Sequence, residues 1–565
     1  MRTEAGFFIL FAVVIVGVLI FSVLRNNQNV KTYLKIRLKE QWGTFSDREY
    51  VSEELEYISR YARRIRGDRF YIDDITWNDL NLEEIFEDMN QTMSSPGEDY
   101  LYAILRLPEF EDDVLEERER LIKFFSTEEE ERIHTQQILH EIGKMKGISM
   151  GDYIFRLKEA EKKSIVVYII LALLSVCAIA TLFLLPVAGV VFFIVITIVN
   201  IYTHHSQSAK MEPYFKSFSC VLCILNAVKK MEKYPIPQLE QYQKKIHAAA
   251  EPLLKLKKRV QVFTNAKAYD DWLTVLRSYF NNFFLLDFIV FYLSIDLVLR
   301  HQKELETLIE NFGILDSAIA IASYREALPG YCIPTLIHAE KATIDIRDAF
   351  HPMLLSPVAN SIRAEGGVLL TGSNASGKST FLKCIAINAI FAQTIHACAA
   401  GAYQASFMKT MTSMTLRDDL GNHESYYIVE IKSIRRILEE SSKGVPMLCM
   451  VDEVLRGTNT VERIAASSSI LYSLKRPNVL PFAATHDIEL TKILEDCYEN
   501  YHFEEEIREK DVAFSYTLKK GPATTRNAIA LLKVMGYDSH IIDASNQAAR
   551  TFEETGVWRK LNIRR

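Results

Sequence analysis

Long uninterrupted apolar stretches stand out in a chain whose other segments mix apolar and polar positions. Residues 6–24 contain no charged side chain and come close to the ~20 residues that a helix needs to cross a bilayer core. This run is longer than a signal-peptide core, and basic polar sequence follows it instead of a small-residue cleavage site. An uncleaved membrane anchor is therefore favoured over a cleaved signal peptide.

A second apolar region covers residues 164–202 and is interrupted only around Pro186 and Gly189, which predicts a helical hairpin. Its first arm, 165–185, is long enough to span a bilayer. The second arm, 187–202, is short and would need bilayer thinning or flanking residues to cross, so a re-entrant hairpin stays open. Because neither arm has a polar face, a hairpin buried in a soluble core is disfavoured.

Basic residues beside these regions predict an orientation, because lysine and arginine accumulate on the cytoplasmic side of membrane spans. They follow the first region and precede the second: Arg25, Lys31, Lys35, Arg37, Lys39, and Arg156, Lys158, Lys162, Lys163. We therefore expect a multi-pass cell-membrane protein with residues 25–163 and everything after about residue 203 in the cytoplasm.

The rest of the chain divides into a helical region and an α/β region. In 48–143 and again in 206–310, apolar positions recur every three or four residues, which predicts amphipathic helices. The aromatic run at 281–299 contains two aspartates, so a buried helix in a soluble core is favoured over a fourth span. After about residue 330, short β-branched runs alternate with helical stretches, a pattern typical of a largely parallel sheet.

Composition and net charge limit the cellular compartment and the binding partners that can be expected. The 565 residues suffice for several domains, and a net charge of −6 means that any DNA contact needs a local basic surface. The eight cysteines are scattered through apolar contexts, which predicts free thiols in a reducing compartment. Cys220 and Cys223 form one CxxC, but no second pair has a suitable spacing for zinc, so core packing is favoured there.

The segment GSNASGKS at 372–379 has the composition of a phosphate-binding loop. Its glycines allow backbone N–H groups to face phosphates, and a strand-like run precedes it while a helical run follows. In such a loop Lys378 contacts the β- and γ-phosphates and Ser379 binds Mg²⁺. The expected ATP contacts are Gly372, Ser373, Asn374, Ala375, Ser376, Gly377, Lys378, Ser379 and Thr380.

Acidic residues at the end of a later buried run would complete this site. The run at 446–451 leads into Asp452 and Glu453, and ligands bind at the carboxyl ends of parallel strands. Asp452 is the expected second magnesium ligand, and Glu453 is placed to activate water as a general base. His486 ends the next apolar run; a lone histidine is more often structural, but its place at a strand end favours a catalytic role.

Four segments of this region resemble the MutS family of DNA mismatch-repair ATPases, which belong with the ABC-type ATPases. They are TGSNASGKST, DDLGNHESYYIVEIKSIRRIL, VDEVLRGTNT and ATHDIEL, in the family's order, and His351-Pro352 resembles its HP element. The resemblance implies an α/β P-loop ATPase domain of the ABC type, preceded by an all-α core and lever region, here with transmembrane helices.

The resemblance also implies a composite site. Ser425 would reach the nucleotide of a second subunit, with the loop at 456–459 at that seam, so a homodimer would bind ATP and Mg²⁺. Ser373 and Ser376 stand where the family usually has proline and glycine. At Ser376 a side chain occupies a position where backbone freedom is expected.

A weaker likeness, in MSSPGEDYLYAILRLP and LEERERLIKFF, extends to the family's helical core and lever. The expected organisation is an anchor (1–25), a first core and lever segment (26–163), the hairpin (164–203), a second core and lever segment (204–330) and the ATPase domain (331–565). The chain has no room for the family's mismatch-reading domains, so recognition of mismatches by a wedge is not expected.

Two functions fit this organisation, and the favoured one is a membrane-anchored ATPase dimer that acts on DNA. Lysines that phosphates could neutralise are Lys229, Lys230, Lys233, Lys244, Lys245, Lys255, Lys257 and Lys258, although a solvated helix face with acidic neighbours is their favoured explanation. The alternative is a mechanochemical or scaffold ATPase that acts on a protein partner without DNA. An ABC transporter is disfavoured because the spans are too few and no LSGGQ segment occurs.

Overall fold

The computed structural model describes residues 32–145, 165–254, 280, 283–373, 376–414, 426–455, 458–508, 511–523, 529, 532 and 535–558. Their contacts define two compact units. The amino-terminal unit contains the described residues of Met1–Asp68, Phe86–Ile104 and Glu117–Ala327, and the carboxy-terminal unit those of Arg69–Ile85, Leu105–Glu116 and Leu328–Arg565. The predicted anchor at 6–24 lies outside the described residues.

Helices alone make up the regular structure before residue 328 in the described part of the chain, as the apolar periodicity predicts. They are α1 (Ser52–Ile65), α2 (Asp74–Asp79), α3 (Leu82–Met89), α4 (Ser95–Arg106), α5 (Asp112–Thr127), α6 (Glu129–Ile142), α7 (Ile165–Leu184), α8 (Pro186–Met231), α9 (Glu240–Ala250), α10 (Leu286–Arg300) and α11 (Gln302–Ala327), with 3-10 turns at Pro237–Leu239 and Glu251–Leu253.

Helix α11 contributes much of the core of the amino-terminal unit. Leu308 and Phe312 lie one turn apart and are fully buried. Asp316, one turn further, is buried with them, and its carboxylate accepts the backbone N–H groups of Met93 (2.9 Å) and Ser94 (2.8 Å). Burial raises the pKa of Asp316 to about 6. A buried carboxylate thus ties the segment that leads into α4 to α11.

Helices α7 and α8 form the predicted hairpin. Only Leu185 separates them, because Pro186 begins α8, where its missing N–H leaves no helical bond unmade. Gly189 does not interrupt the helix; it lies against the backbone of Thr181 and Leu182, where a Cβ would approach to 2.6 Å. Glycine therefore serves close packing of the two arms.

Both arms are long and apolar enough to cross a membrane. The qualifying stretches are Ile165–Leu184, with 20 residues, and Pro186–Ser208, with 23, and only 17% of each is buried. The second arm is thus longer than the predicted 187–202, because α8 continues without a break to Met231. The residues after Tyr202 therefore lengthen this arm, and the structure agrees with the alternative of flanking residues that complete it.

The aromatic run at 281–299 contains α10, which has 15 residues and is too short for a full span. Phe288 and Phe291 are buried on one face of α10, while Asp296 is exposed. This one-sided burial agrees with the favoured interpretation of a packed helix.

None of the eight cysteines forms a disulfide bond in the structure. Cys220 is buried in α8, and burial raises the pKa of its thiol well above the usual range, so a neutral side chain in the core explains it. Among the described residues, no group of three or more His, Cys, Asp or Glu side chains is suited to a metal ion.

The carboxy-terminal unit contains two sheets. One has the strand order β1-β5-β2-β3 and the other β10-β9-β4-β8-β7-β6. The strands are β1 (Thr335–Ile337), β2 (Ile344–Ala349), β3 (Asn360–Ala364), β4 (Gly367–Thr371), β5 (Ala402–Ser406), β6 (Lys409–Ser413), β7 (Met447–Asp452), β8 (Val479–Ala484), β9 (Tyr498–Arg508) and β10 (Asp511–Lys520).

Parallel pairing brings the candidate site together. Strands β9, β4, β8, β7 and β6 are parallel neighbours, and every residue of β4, β7 and β8 is buried. Leu370 of β4 and Asp452 of β7 both pair with Ala484 of β8, so three strands end at one level. Helices α12 (Lys378–Thr394), α13 (Tyr426–Ser441), α14 (Thr460–Ser473), α15 (Glu489–Ile493) and α16 (Ser539–Thr555) connect or follow these strands.

Candidate active site

The phosphate loop leaves β4 and enters α12, as predicted. Gly372 and Gly377 have φ values of 142° and 107°, which L side chains rarely adopt. A Cβ at Gly372 would also lie 2.8 Å from the Phe503 carbonyl oxygen. Both glycines are therefore required by the backbone, and the loop ends at the amino terminus of α12, where free N–H groups favour anions.

Lys378 lies across this loop. Its side chain is buried, and its Nζ donates to the carbonyl oxygens of Gly372 (2.8 Å) and Ser373 (2.7 Å). The ammonium group is thus held between the loop and the first turn of α12. That position suits a contact with phosphate oxygens bound by the same loop.

Ser376 lies in the phosphate loop, where Gly372 and Gly377 have left-handed conformations. The Ser376 side chain is buried, and its Oγ has no hydrogen-bond partner in the described part of the chain. The side chain that stands in place of glycine therefore brings a buried hydroxyl that these residues leave unsatisfied.

Ser379 and Asp452 meet at the edge of the sheet. The Ser379 hydroxyl donates to Asp452 Oδ2 at 2.5 Å, although 73 residues separate the two. A hydroxyl and a carboxylate are hard oxygen ligands of the kind that Mg²⁺ prefers, and Mg²⁺ at nucleotide sites usually takes only one or two protein ligands. The pair therefore fits the predicted magnesium site.

Glu453 and His486 also meet, as neighbouring strand ends predict. His486 Nε2 lies 2.6 Å from Glu453 Oε1, and both side chains are partly exposed. The backbone joins the same elements, because Glu453 N–H donates to Ala484 O (2.9 Å) and Thr485 N–H to Leu370 O (2.9 Å). Glu453 directly follows Asp452 in the sequence. Its carboxylate thus lies at the same sheet edge as the Ser379–Asp452 pair, beside the phosphate loop.

Glu430 was not singled out from the sequence, although it belongs to the segment DDLGNHESYYIVEIKSIRRIL that resembles the MutS family. Its carboxylate is buried on α13 and accepts the Leu455 N–H at 2.5 Å. Glu453 and Leu455 have φ values of 58° and 59°, so the loop after β7 is in a conformation that non-glycine residues seldom adopt. Glu430 therefore holds the loop that carries Glu453.

A second support joins α14 to the residue after His486. Arg463 donates to both carboxylate oxygens of Asp487, from Nε (2.9 Å) and Nη2 (2.6 Å). The side chain of Asn459 caps α14 by accepting the Val461 N–H at 2.9 Å. Helix α14 and the ATH segment are thus joined by a two-bond ion pair.

Lys383 lies one turn beyond Ser379 on α12 and was also missed. Burial lowers its pKa, while the carboxylates of Asp79, Glu84 and Asp452 act in the opposite direction. Its Nζ donates to Asn81 Oδ1 at 2.7 Å. The Lys383 ammonium group thus lies near Asp452, one of the predicted metal ligands. It is held by Asn81, about three hundred residues upstream in the sequence.

An open cavity of about 360 Å³ lies beside the phosphate loop. Its lining includes Gly377, Thr380, Leu355, Val358 and Tyr516, so apolar and aromatic surface adjoins the start of α12. Leu355 is fully exposed, and Tyr516 has a φ of 51°. The expected ATP contact Thr380 thus lies on this cavity, whereas no sequence motif marks Leu355, Val358 or Tyr516.

His351, of the HP element, lines the same cavity. Burial, with a smaller effect of Lys383, lowers the pKa of His351 to about 4. The ring is therefore neutral at physiological pH and presents no charge to the cavity.

Several predicted residues lie outside the described part of the chain. They are Asn374 and Ala375 of the phosphate loop, Ser425, and Arg456 and Gly457 of the RGTN loop. Their roles stay predictions.

Comparison with known proteins agrees with these motifs. Residues 368–553 match the family described as MutS domain V. The DNA mismatch repair protein MutS of Methanosarcina mazei is 27% identical over 278 residues, which cover 46% of this chain and 30% of that protein. The same protein of Thermus thermophilus is 28% identical over 251 residues, covering 43% of this chain and 30% of its own length.

The matched region thus spans less than a third of these curated relatives. It nevertheless includes the phosphate loop, Asp452, Glu453 and His486, which the fold brings to one sheet edge. The carboxy-terminal region of the chain is therefore similar to MutS domain V over residues 368–553.

Proposed function

We propose that this chain is a membrane-anchored MutS-like ATPase that binds and hydrolyses ATP with Mg²⁺. The observation that carries the proposal is the convergence of the Ser379–Asp452 and Glu453–His486 pairs beside the phosphate loop. Two polar strand ends and a glycine loop at one sheet edge are elements that phosphoryl transfer to water uses.

Each residue has a separate task in this proposal. Lys378 and the N–H groups at the start of α12 bind the β- and γ-phosphates, and Ser379 and Asp452 hold Mg²⁺, which neutralises phosphate charge when bound. Glu453 orients the attacking water and accepts its proton. His486 holds the Glu453 carboxylate toward the phosphate loop.

The cavity beside Gly377 is the proposed place of the nucleoside. Leu355 and Val358 offer exposed apolar surface and Tyr516 an aromatic ring, which suit a flat base better than a phosphate. His351 is neutral, and none of the described residues that line the cavity is a cation that would attract phosphate instead.

Membrane anchoring is proposed from the hairpin. Two adjacent helices with 17% burial expose far more apolar surface than soluble proteins usually do. A bilayer removes that surface from water. The cell membrane, with the ATPase domain in the cytoplasm, agrees with the basic residues near the hairpin and with a need for cytosolic ATP.

A homodimer acting on DNA completes the proposal. Ser425, as the family resemblance implies, would complete the partner's nucleotide site, and the relatives are DNA mismatch repair proteins by name. The exposed lysines of α8 and α9 offer limited support for DNA, because Lys230 pairs with Glu141 and Lys244 with Glu240.

The decisive experiment is an ATPase assay of the purified full chain beside Glu453→Gln, with no DNA and with homoduplex, mismatched or branched DNA at low salt. We expect turnover in the wild type, its loss in Glu453→Gln with ATP binding retained, and stimulation by at least one DNA. Equal turnover of the two proteins would refute the role of Glu453.

Turnover that no DNA changes would favour the alternative, an ATPase that acts on a protein partner or on the membrane hairpin. The exposed apolar surface of α7 and α8 is the observation that favours this second candidate. Recovery of the same protein, but no nucleic acid, with the wild type and not with Lys378→Ala would support it.

A further inference from the structure

The residues just before α10 meet the hairpin halfway along its length. The Phe283 ring lies 5.1 Å from the Phe193 ring, and the Phe283 carbonyl accepts a hydrogen bond from Asn200. At 1.5 Å per residue, Phe193 and Asn200 lie about 12 and 22 Å from the turn at Leu185. A bilayer core is ~30 Å thick. Phe283 is therefore near the middle of a hairpin of membrane length.

Helix α10 then returns toward the base of the hairpin. The Tyr168 ring stacks on Phe288 at 5.0 Å with an interplanar angle of 2°, and it lies 5.7 Å from Tyr292. Tyr168 is only three residues, about 5 Å, from Ile165 at the base of the first arm. Helix α10 thus covers the half of the hairpin between its middle and its base.

Buried polar groups satisfy the irregular backbone at the deep end. Asn200 and Ser175 are completely buried. The Asn200 amide donates to the Phe283 carbonyl (2.6 Å) and to the Ser175 hydroxyl (2.8 Å). Leu285 has a φ of 54°, outside helical geometry. Non-helical backbone at membrane depth is tolerated where protein groups satisfy it, because lipid cannot, and Asn200 provides that bond.

The outward face of α10 changes character along the helix. Leu293 is 61% exposed and apolar, whereas Asp296 and Arg300, also exposed, are charged. This change falls near the level of the hairpin's base, where a membrane surface would lie. Asp287, in the first turn, lies within electrostatic range of His204, so its charge is not isolated.

We propose that residues 283–293 form a re-entrant membrane segment. The chain reaches mid-depth at Phe283, and α10 brings it back to the surface on which the hairpin begins, with lipid acyl chains against Ile289 and Leu293. This inference rests on the proposed membrane location of the hairpin. It adds a half-helix to the two spanning arms and anchors the chain that leads into α11.

Spin labels in proteoliposomes of phosphatidylethanolamine and phosphatidylglycerol test the depth. The full chain, with its native cysteines replaced, carries one new cysteine in each of Val191→Cys, Ile289→Cys, Leu293→Cys and Arg300→Cys. Labels at the first three positions should be accessible to oxygen and protected from a nickel chelate. The label at Arg300 should be accessible to the chelate and less accessible to oxygen. The label at Ile289 should lie deeper than that at Leu293 by up to about 6 Å.

The outcomes separate the two proposals. Labels at Ile289 and Leu293 that behave like the one at Arg300, with Val191 still in lipid, would overturn the re-entrant segment and leave the membrane hairpin intact. A label at Val191 in water would instead overturn the membrane location. If cysteine replacement prevents folding, a diazirine on a lipid acyl chain applied to the unmodified chain should label residues 286–293, and labelling confined to the hairpin would contradict the proposal.

Asn200→Leu tests the positioning role of the buried amide. It should make the label at Ile289 shallower and more accessible to the nickel chelate. Thr197→Val is the matched control on α8, because the Thr197 hydroxyl bonds the Phe193 carbonyl of its own helix (2.7 Å). Equal depth in both variants would overturn the role given to Asn200.

Discussion

Replacing Glu430 by alanine tests whether the loop that carries Glu453 is held in place from α13. Glu453 and Leu455 both have positive φ, and such conformations cost about 1–3 kcal/mol each unless their surroundings hold them. The buried Glu430 carboxylate accepts the Leu455 N–H at 2.5 Å, and a hydrogen bond to a charged group contributes about 1.5–3 kcal/mol. The bond is therefore comparable to the strain that it opposes.

If this bond keeps Glu453 in position, its loss raises the barrier to hydrolysis by a similar amount. At about 1.4 kcal/mol per tenfold, turnover in Glu430→Ala should fall by about ten- to 150-fold. ATP affinity should stay within about twofold, because Lys378 and its loop carbonyls are untouched. Glu430→Gln keeps a neutral acceptor and should lose less, since charged hydrogen bonds are about twice as strong.

Steady-state hydrolysis and equilibrium binding of a fluorescent ATP analogue measure the two effects separately. Glu439→Gln is the matched control, because Glu439 is exposed on the same helix and pairs with exposed Arg435; such pairs contribute little. Turnover of Glu430→Ala within twofold of the wild type, in a variant that binds ATP normally, would refute the reasoning.

Other substitutions test the phosphate loop and the amino-terminal core. Ser376→Ala removes a buried hydroxyl without a partner in the described residues and should raise the free energy of unfolding by about 1–3 kcal/mol. Ser379→Ala should lower Mg²⁺-dependent ATP affinity; binding comparable to that of the wild type, with and without Mg²⁺, would contradict the assignment. In Gly97→Ala the new Cβ would lie 2.2 Å from Asp316 Oδ2, so thermal melting should show a loss of about 1–3 kcal/mol. Gly330→Ala places its Cβ in open space and should have the melting temperature of the wild type. Equal melting temperatures for Gly97→Ala and Gly330→Ala would contradict the prediction. Because burial raises the folded-state pKa of Asp316 from 3.8 to about 6, the folded state binds this proton more tightly. Its contribution to stability is therefore full below about pH 4 and falls by about 3 kcal/mol as the pH rises to about 6. The free energy of unfolding of the wild type minus that of Asp316→Asn should therefore fall over this pH range. A difference that stays constant would contradict the prediction.

The nucleotide site was largely predictable from the sequence because its elements are local. Glycine spacing, a buried apolar run before the loop and a helical run after it specify strand, loop and helix over a dozen residues. Asp452 and His486 directly follow or end apolar runs. Since parallel strands end at the same edge, their meeting with Ser379 and Glu453 followed once the sheet was inferred.

The supports of the site were not predictable, because they join residues far apart in the sequence. Lys383 contacts Asn81, and Thr412 donates to Asp79 at 2.6 Å, across more than three hundred residues. Residues 69–85 have a helical pattern, and that pattern does not predict that they belong to the unit that contains the sheets. The length of α8 was misjudged for a related reason: polar residues after Tyr202 suggest an end, but the helix continues.

Backbone angles add a second segment to the one that Ser376 marks. The sequence places a Ser376 side chain where backbone freedom is expected, which directs attention to the phosphate loop as the segment that alters hydrolysis. In the loop after β7, Glu453 and Leu455 have positive φ, which non-glycine residues seldom adopt. Strained backbone therefore lies in the loop that carries the proposed general base and depends on Glu430. Substitutions that slow hydrolysis without weakening ATP binding are accordingly expected around this loop, and substitutions at Gly372 or Gly377 should impair binding itself.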